Sequence, residues 1–252
     1  MTDRDAEPLL DLIAETADVS GDFSDADDAA HYLGHRERLR CKVVAFGVDV
    51  LQDYELLEFL LMYAIPRRDV KPLAKELIER FGSFSAALNA SPDELKRVKG
   101  VKDGAAALLS AVRGSAVRLA KYEISSAPVI KDWKSLIDYC RVDMGQKKTE
   151  CLRVLFLDAR ARLIRDEILQ KGSVSQTPVY PREIAKRALD LSASSVIMVH
   201  NHPAGDLRPS KNDALMTKAV ADALAVLDVA LIDHLIITKA GYVSLKDCGC
   251  LK

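Results

Sequence analysis

The chain has 252 residues, is 49% hydrophobic and carries a net charge of −1, enough apolar sequence for one large or two ordinary domains. No run of about 18 apolar residues appears, and the start MTDRDAEPLL lacks the basic residues and apolar core of a secretory signal, which excludes a membrane-spanning helix and points to the cytoplasm. Five cysteines (41, 140, 151, 248 and 250), an odd number without CxxC spacing, argue against a disulfide framework, and Cys248 with Cys250 read as incidental rather than as half of a metal site.

The near-neutral total hides an asymmetry. Residues 1–34 carry −9, whereas residues 35–125 and 126–252 carry +4 each. The acidic opening, poor in large apolar residues beyond the patch LLDLIA, is predicted to be a mobile tail. The mild basicity of the remainder permits nucleic-acid contact without demanding it, because specific binders concentrate their charge on one face.

From residue 35 to 122 the apolar spacing is helical, in DYELLEFLLMYAI, KPLAKELIERFG and AAALLSAVRGSAVRLA. Pro66 and Gly82 end helices, and Ser91-Pro92-Asp93-Glu94 starts one as a cap followed by proline. Residues 123–130 read as a linker, rich in serine and without helical period. Beyond it the pattern becomes a helix from Trp133, strands at CLRVLFLD and RLIRDEILQ, the helix PREIAKRALDL, the strand SSVIMV, a helix from Lys211 to about Leu227, and strands at LIDHLIIT and GYVSL. Strands interleaved with helices predict an α/β domain over 131–252, with a mixed β-sheet flanked by helices, after a small helical domain over 35–122.

The chemistry concentrates in VHNHPAGDLRPSKND, residues 199–213. His200 and His202 stand two apart at a strand end, so strand alternation turns both imidazoles to one side. The loop through Pro203, Gly205 and Pro209 returns the chain to a helix start at Ser210, with Asp213 in its first turn. Two imidazoles and one carboxylate with an open fourth position suit a catalytic zinc ion, one per chain. Ser210-x-x-Asp213 is also a capping box, which needs no metal. His234, entering an apolar strand, reads as a buried or supporting histidine rather than a ligand.

His200-x-His202-Pro203 followed by Ser210-x-x-Asp213 resembles the JAMM motif of the JAB/MPN metalloprotease superfamily, and HNHPAGDLRPS is similar to the RadC family in particular. GHRERLR at 34–40, IPRRDVKPLAK at 65–75 and VYPREIAKRAL at 179–189 extend the resemblance over all but the acidic tail. The resemblance implies an MPN/JAB sheet domain whose metal ligands are His200, His202 and Asp213. It also implies a glutamate on an upstream strand as general acid and base, here Glu167, with Asp166 next door facing the opposite side. Ser210 would hydrogen-bond the tetrahedral intermediate. The implied activity is zinc-dependent hydrolysis of an amide or isopeptide bond in a protein or peptide.

The alternative is a DNA-associated repair or recombination accessory protein. Residues 95–112, LKRVKGVKDGAAALLSAV, resemble a helix-hairpin-helix, in which turn amides and a helix N-terminus receive a phosphate. The second glycine of that turn is displaced to Gly104 and Lys102 stands in its place, so the segment is either a phosphate contact through Lys102 or a plain packing corner. Oligomeric state is not legible.

Overall fold

The computed structural model describes residues 25–126, 128–172 and 180–251, with side chains placed from residue 34. Helix α1 (Asp25–Phe46) begins ten residues before the expected end of the acidic tail. Residues 1–24 of that tail lie outside the described residues. Among the described residues no helix is long and apolar enough to cross a membrane.

The chain divides into two units, residues up to 75 and residues 76–252, with the boundary inside α3 (Lys71–Phe81). In the first unit α1 meets α2 (Asp53–Ala64). Buried Arg36 donates to the carbonyls of Met62, Ile65, Pro66 and Arg68, collecting acceptors that the end of α2 leaves without helical partners. His35 Nε2 lies 2.8 Å from the carboxylate of buried Glu58.

In the second unit α4 (Phe84–Asn89), α5 (Pro92–Lys96) and α6 (Asp103–Ser126) precede α7 (Trp133–Met144). Ser83 and Ser91 cap α4 and α5 as their sequence positions require. The expected linker at 123–130 is packed rather than free. Helix α6 runs through 123–126, and Ile124 and Val129 are buried in the cluster built on α7. Ile124 shares a face with Val117 and Ala120, so helical spacing persists through YEISS despite its serines.

The sheet holds β1 (Cys151–Leu157), β2 (Leu163–Lys171), β3 (Ser195–Asn201), β4 (Ala230–Ile237) and β5 (Tyr242–Ser244), in the order β2-β1-β3-β4-β5. Only β3 and β4 run parallel, with α9 (Lys211–Ala225) between them, so the sheet is mixed. This is the expected α/β architecture. One face packs Leu155, Leu157, Ile197 and Val199 against α7. The other packs Val154, Phe156, Val196 and Met198 against α8 (Pro181–Asp190) and α9. Both central strands are buried at every position, which explains the uninterrupted apolar run SSVIMV. All five cysteines are free.

On the α7 face a buried charge lies at the centre of the sheet. The Arg153 guanidinium contacts Asp143 of α7, Asp166 of β2 at 2.7 Å and the Tyr139 hydroxyl. Lys121 of α6 reaches Asp166 at 3.0 Å, and Lys147 reaches Asp143 at 3.1 Å. Breaking such a buried pair leaves uncompensated charge and costs about 3–5 kcal/mol, whereas exchanging the whole set for apolar side chains can be neutral. Arg153→Met should therefore lose about 3–5 kcal/mol of unfolding free energy in urea. The triple variant Arg153→Met, Asp143→Leu, Asp166→Leu should recover most of it. A loss below about 1 kcal/mol in the single variant would show that water or the lysines already compensate both acids.

Candidate metal centre

The histidines owe their position to the centre of the sheet. Leu152 pairs with His200 across β1 and β3, and Leu152 packs on the α8–α9 face, so the His200 imidazole points to that face too. Two residues on, His202 leaves the strand, its amide still bonded to the Ile237 carbonyl at 3.0 Å. The loop then turns at Gly205, whose φ of +88 lies in the left-handed region. It re-enters a helix at Ser210, which caps α9. Ser210 Oγ accepts from the Asp213 amide at 3.1 Å, and the Ser210 amide donates to Asp213 Oδ2 at 2.7 Å. The capping box thus fixes the carboxylate it shares.

These elements bring three side chains to one point. His200 Nε2 and His202 Nε2 are 2.8 Å apart, with Asp213 Oδ1 3.4 Å from the first and Oδ2 3.6 Å from the second. A fourth group, which no sequence motif marks, stands beside them. A Glu150 carboxylate oxygen and the two ring nitrogens all lie within 4.8 Å of one another. Continuing the β1–β3 register two residues past Leu152–His200 sets Glu150 opposite His202. The signal that would find it is therefore the strand register, which no sequence spacing carries.

The electrostatics follow from burial. His200 is pushed down to about 4 by desolvation, against the opposing pull of Asp213. Completely buried His234 is lowered well below the usual histidine range for the same reason. Burial would raise Asp213, but hydrogen bonds from His202 and Ser210 and the charge of His200 outweigh it and hold the carboxyl well below the usual range. His202, half-buried, is raised, chiefly by its bond to Asp213. Its Nδ1 donates to the Asp206 carbonyl at 2.6 Å, which is an acceptor only, so the neutral ring presents a lone pair at Nε2.

Glu167 sits elsewhere on the same face of the sheet. It pairs with Val154, which pairs with Met198, so it lies two strands, about 10 Å, across from β3. There it meets Arg187 of α8, Oε2 accepting from Nε at 2.9 Å and Oε1 from Nη2 at 2.5 Å. That bidentate bond lowers its pKa. Asp166 points to the opposite face, toward Tyr139 and Arg153. His234 lies behind His200, its Nε2 2.8 Å from His200 Nδ1.

The turn within 95–112 lies between α5 and α6, with Gly100 at φ +103 and Val98 and Val101 buried. Lys102 is exposed. The helix start that would receive a phosphate carries Asp103, whose carboxylate lies 3.3 Å from Lys96.

Residues 130–250 match a family model described as a RadC-like JAB domain, and residues 31–107 match one described as UPF0758 N-terminal. A UPF0758 protein of Ruegeria pomeroyi is 45% identical over 217 residues, 86% of this chain and 97% of its own length. One of Rhodobacter capsulatus is 45% identical over 213 residues, 84% of this chain and 100% of its own. With its sheet, its converging histidines and these relatives, the chain belongs to the UPF0758 proteins of the RadC-like JAB family, within the JAMM-type hydrolase superfamily.

Proposed function

We propose that the chain is a zinc-dependent hydrolase, a metallopeptidase cutting an amide or isopeptide bond, with His200, His202 and Asp213 holding one zinc ion. The observation that carries this reading is the chemistry of the donor set. Two imidazole nitrogens and a carboxylate face one another within 2.8 to 3.6 Å. The Ser210 amide donates to Oδ2, and the pairing of His202 Nε2 with Asp213 and with His200 Nε2 needs a proton at that point, the place a metal cation would take. Acceptors so placed repel unless a cation sits among them, and two nitrogens with one carboxylate and an open position match a catalytic zinc site. A zinc ion bound there supplies Lewis acidity toward a carbonyl and acidifies water in the cleft.

The chain's own residues do the rest. Glu167 takes a proton from the attacking water and returns it to the leaving nitrogen. Its partner Arg187 keeps it ionised, the form a base requires. Ser210 uses its hydroxyl oxygen as an acceptor in the cap, leaving the hydroxyl hydrogen to donate to the developing oxyanion. Glu150 supports a second assignment of the base, because one of its carboxylate oxygens lies within 4.8 Å of a ring nitrogen of each histidine.

Glutamine substitution separates the two carboxylates. With zinc content measured alongside, Glu167→Gln should lose about 10²- to 10⁴-fold of peptide or isopeptide hydrolysis and keep its metal, while Glu150→Gln stays active. Loss in Glu150→Gln alone would assign the base to Glu150. No turnover by the wild type on any peptide or isopeptide would contradict the hydrolase reading. Ser210→Ala should cost about 1 kcal/mol of stability through the lost cap, together with a fall in kcat. Unchanged stability would remove the capping role.

A further inference from the structure

Behind the three converging groups runs a line of hydrogen bonds through the buried face of α9 and β4. His200 Nδ1 lies 2.8 Å from His234 Nε2, and His234 Nδ1 lies 2.6 Å from Thr217 Oγ1. Thr217 Oγ1 in turn lies 2.6 Å from the main-chain carbonyl of Asp213. Thr217, His234 and His200 are fully buried. The line starts on the backbone of one proposed ligand and ends on the ring of another.

Its direction is fixed by the acceptor at its end. A carbonyl oxygen has no proton to give, and an oxygen–oxygen separation of 2.6 Å needs a hydrogen between the atoms, so the Thr217 hydroxyl donates to Asp213. A hydroxyl has one hydrogen, and the Thr217 oxygen must therefore accept from His234 Nδ1. A neutral imidazole with its proton on Nδ1 has only a lone pair at Nε2. His200 must then donate from Nδ1, which leaves its own Nε2 bare, pointing at His202 and Asp213. The reverse arrangement would put a proton on His200 Nε2, where it would bond to His202 across 2.8 Å and close the site.

We infer that His234 and Thr217 are positioning residues that lock His200 in the Nδ1–H tautomer and so aim a lone pair at the metal position. The consequence for metal affinity rests on the zinc reading above; the tautomer itself does not. Partners of this kind, which fix a ligand's ring orientation and tautomer, change metal affinity by about 10- to 100-fold when removed. Thr217 is the decisive member, since the same hydroxyl meets both the Asp213 backbone and the His234 ring. Threonine to valine deletes the hydroxyl while keeping a β-branched side chain, and threonine to serine keeps the hydroxyl.

The test reads tautomers and affinity separately. Long-range proton–nitrogen correlation spectra of the metal-free, histidine-labelled full chain should show the proton on Nδ1 in both His200 and His234. Thr217→Val should move the His200 proton to Nε2 and weaken zinc binding, by competition with a chelating dye, about 10- to 100-fold. Thr217→Ser should restore both. A proton on His200 Nε2 in the metal-free wild type would overturn the inference. So would a folded Thr217→Val protein with wild-type zinc affinity. If Thr217→Val does not fold, the wild-type tautomers and the serine variant still decide. Wild-type tautomers as drawn in a protein that takes up no zinc would uphold the lock and reject the zinc reading.

Discussion

The register of β3 against β1 is the constraint on which the site depends. Strand side chains alternate, so a slip of one residue would send His200 to the α7 face and turn Asn201 toward α9. Asn201 guards against that slip. Its side chain accepts from the Cys151 amide at 2.9 Å and donates to the carbonyls of Lys147 and Thr149, tying the end of β3 to the start of β1. On the same α7 face Arg153 binds acids on α7 and β2, a second lock two residues further along β1. With the register held, His200 and Glu150 take their places, and the parallel pairing of β3 with β4 sets His234 opposite Met198.

Burial then determines protonation. His200 and His234 are kept neutral because the sheet and α9 exclude water, whereas Asp213 stays ionised because the Ser210 amide and His202 repay its desolvation. Neutral nitrogen donors beside a charged carboxylate are what a divalent cation requires. Glu167 is held ionised by Arg187 on the same sheet face, so the two carboxylates have separate partners. The α9 N-terminus joins these parts, since one capping box both starts the helix and aims the Asp213 carboxylate.

The sequence made the local parts legible. Alternation put His200 and His202 on one side, and Ser210-x-x-Asp213 announced a helix start, because both signals lie within a few residues of chain. The mixed sheet was legible from the change of period after Trp133. What depends on pairing across the sheet was not. Glu150 precedes a strand whose first pair, Leu152 with His200, spans 48 residues, Arg187 belongs to another helix, and Thr217 reaches His234 over 17 positions. Likewise YEISS reads as a linker by composition, yet Ile124 keeps the helical face of α6.

The most direct measurement is elemental analysis of zinc on the purified full chain beside His202→Ala and Asp213→Ala. About one zinc per chain is expected in the wild type, with loss from both variants, each still folded. A wild type that holds no zinc above background after reconstitution, or variants that retain it in full, would contradict the assignment of His200, His202 and Asp213 as a metal centre.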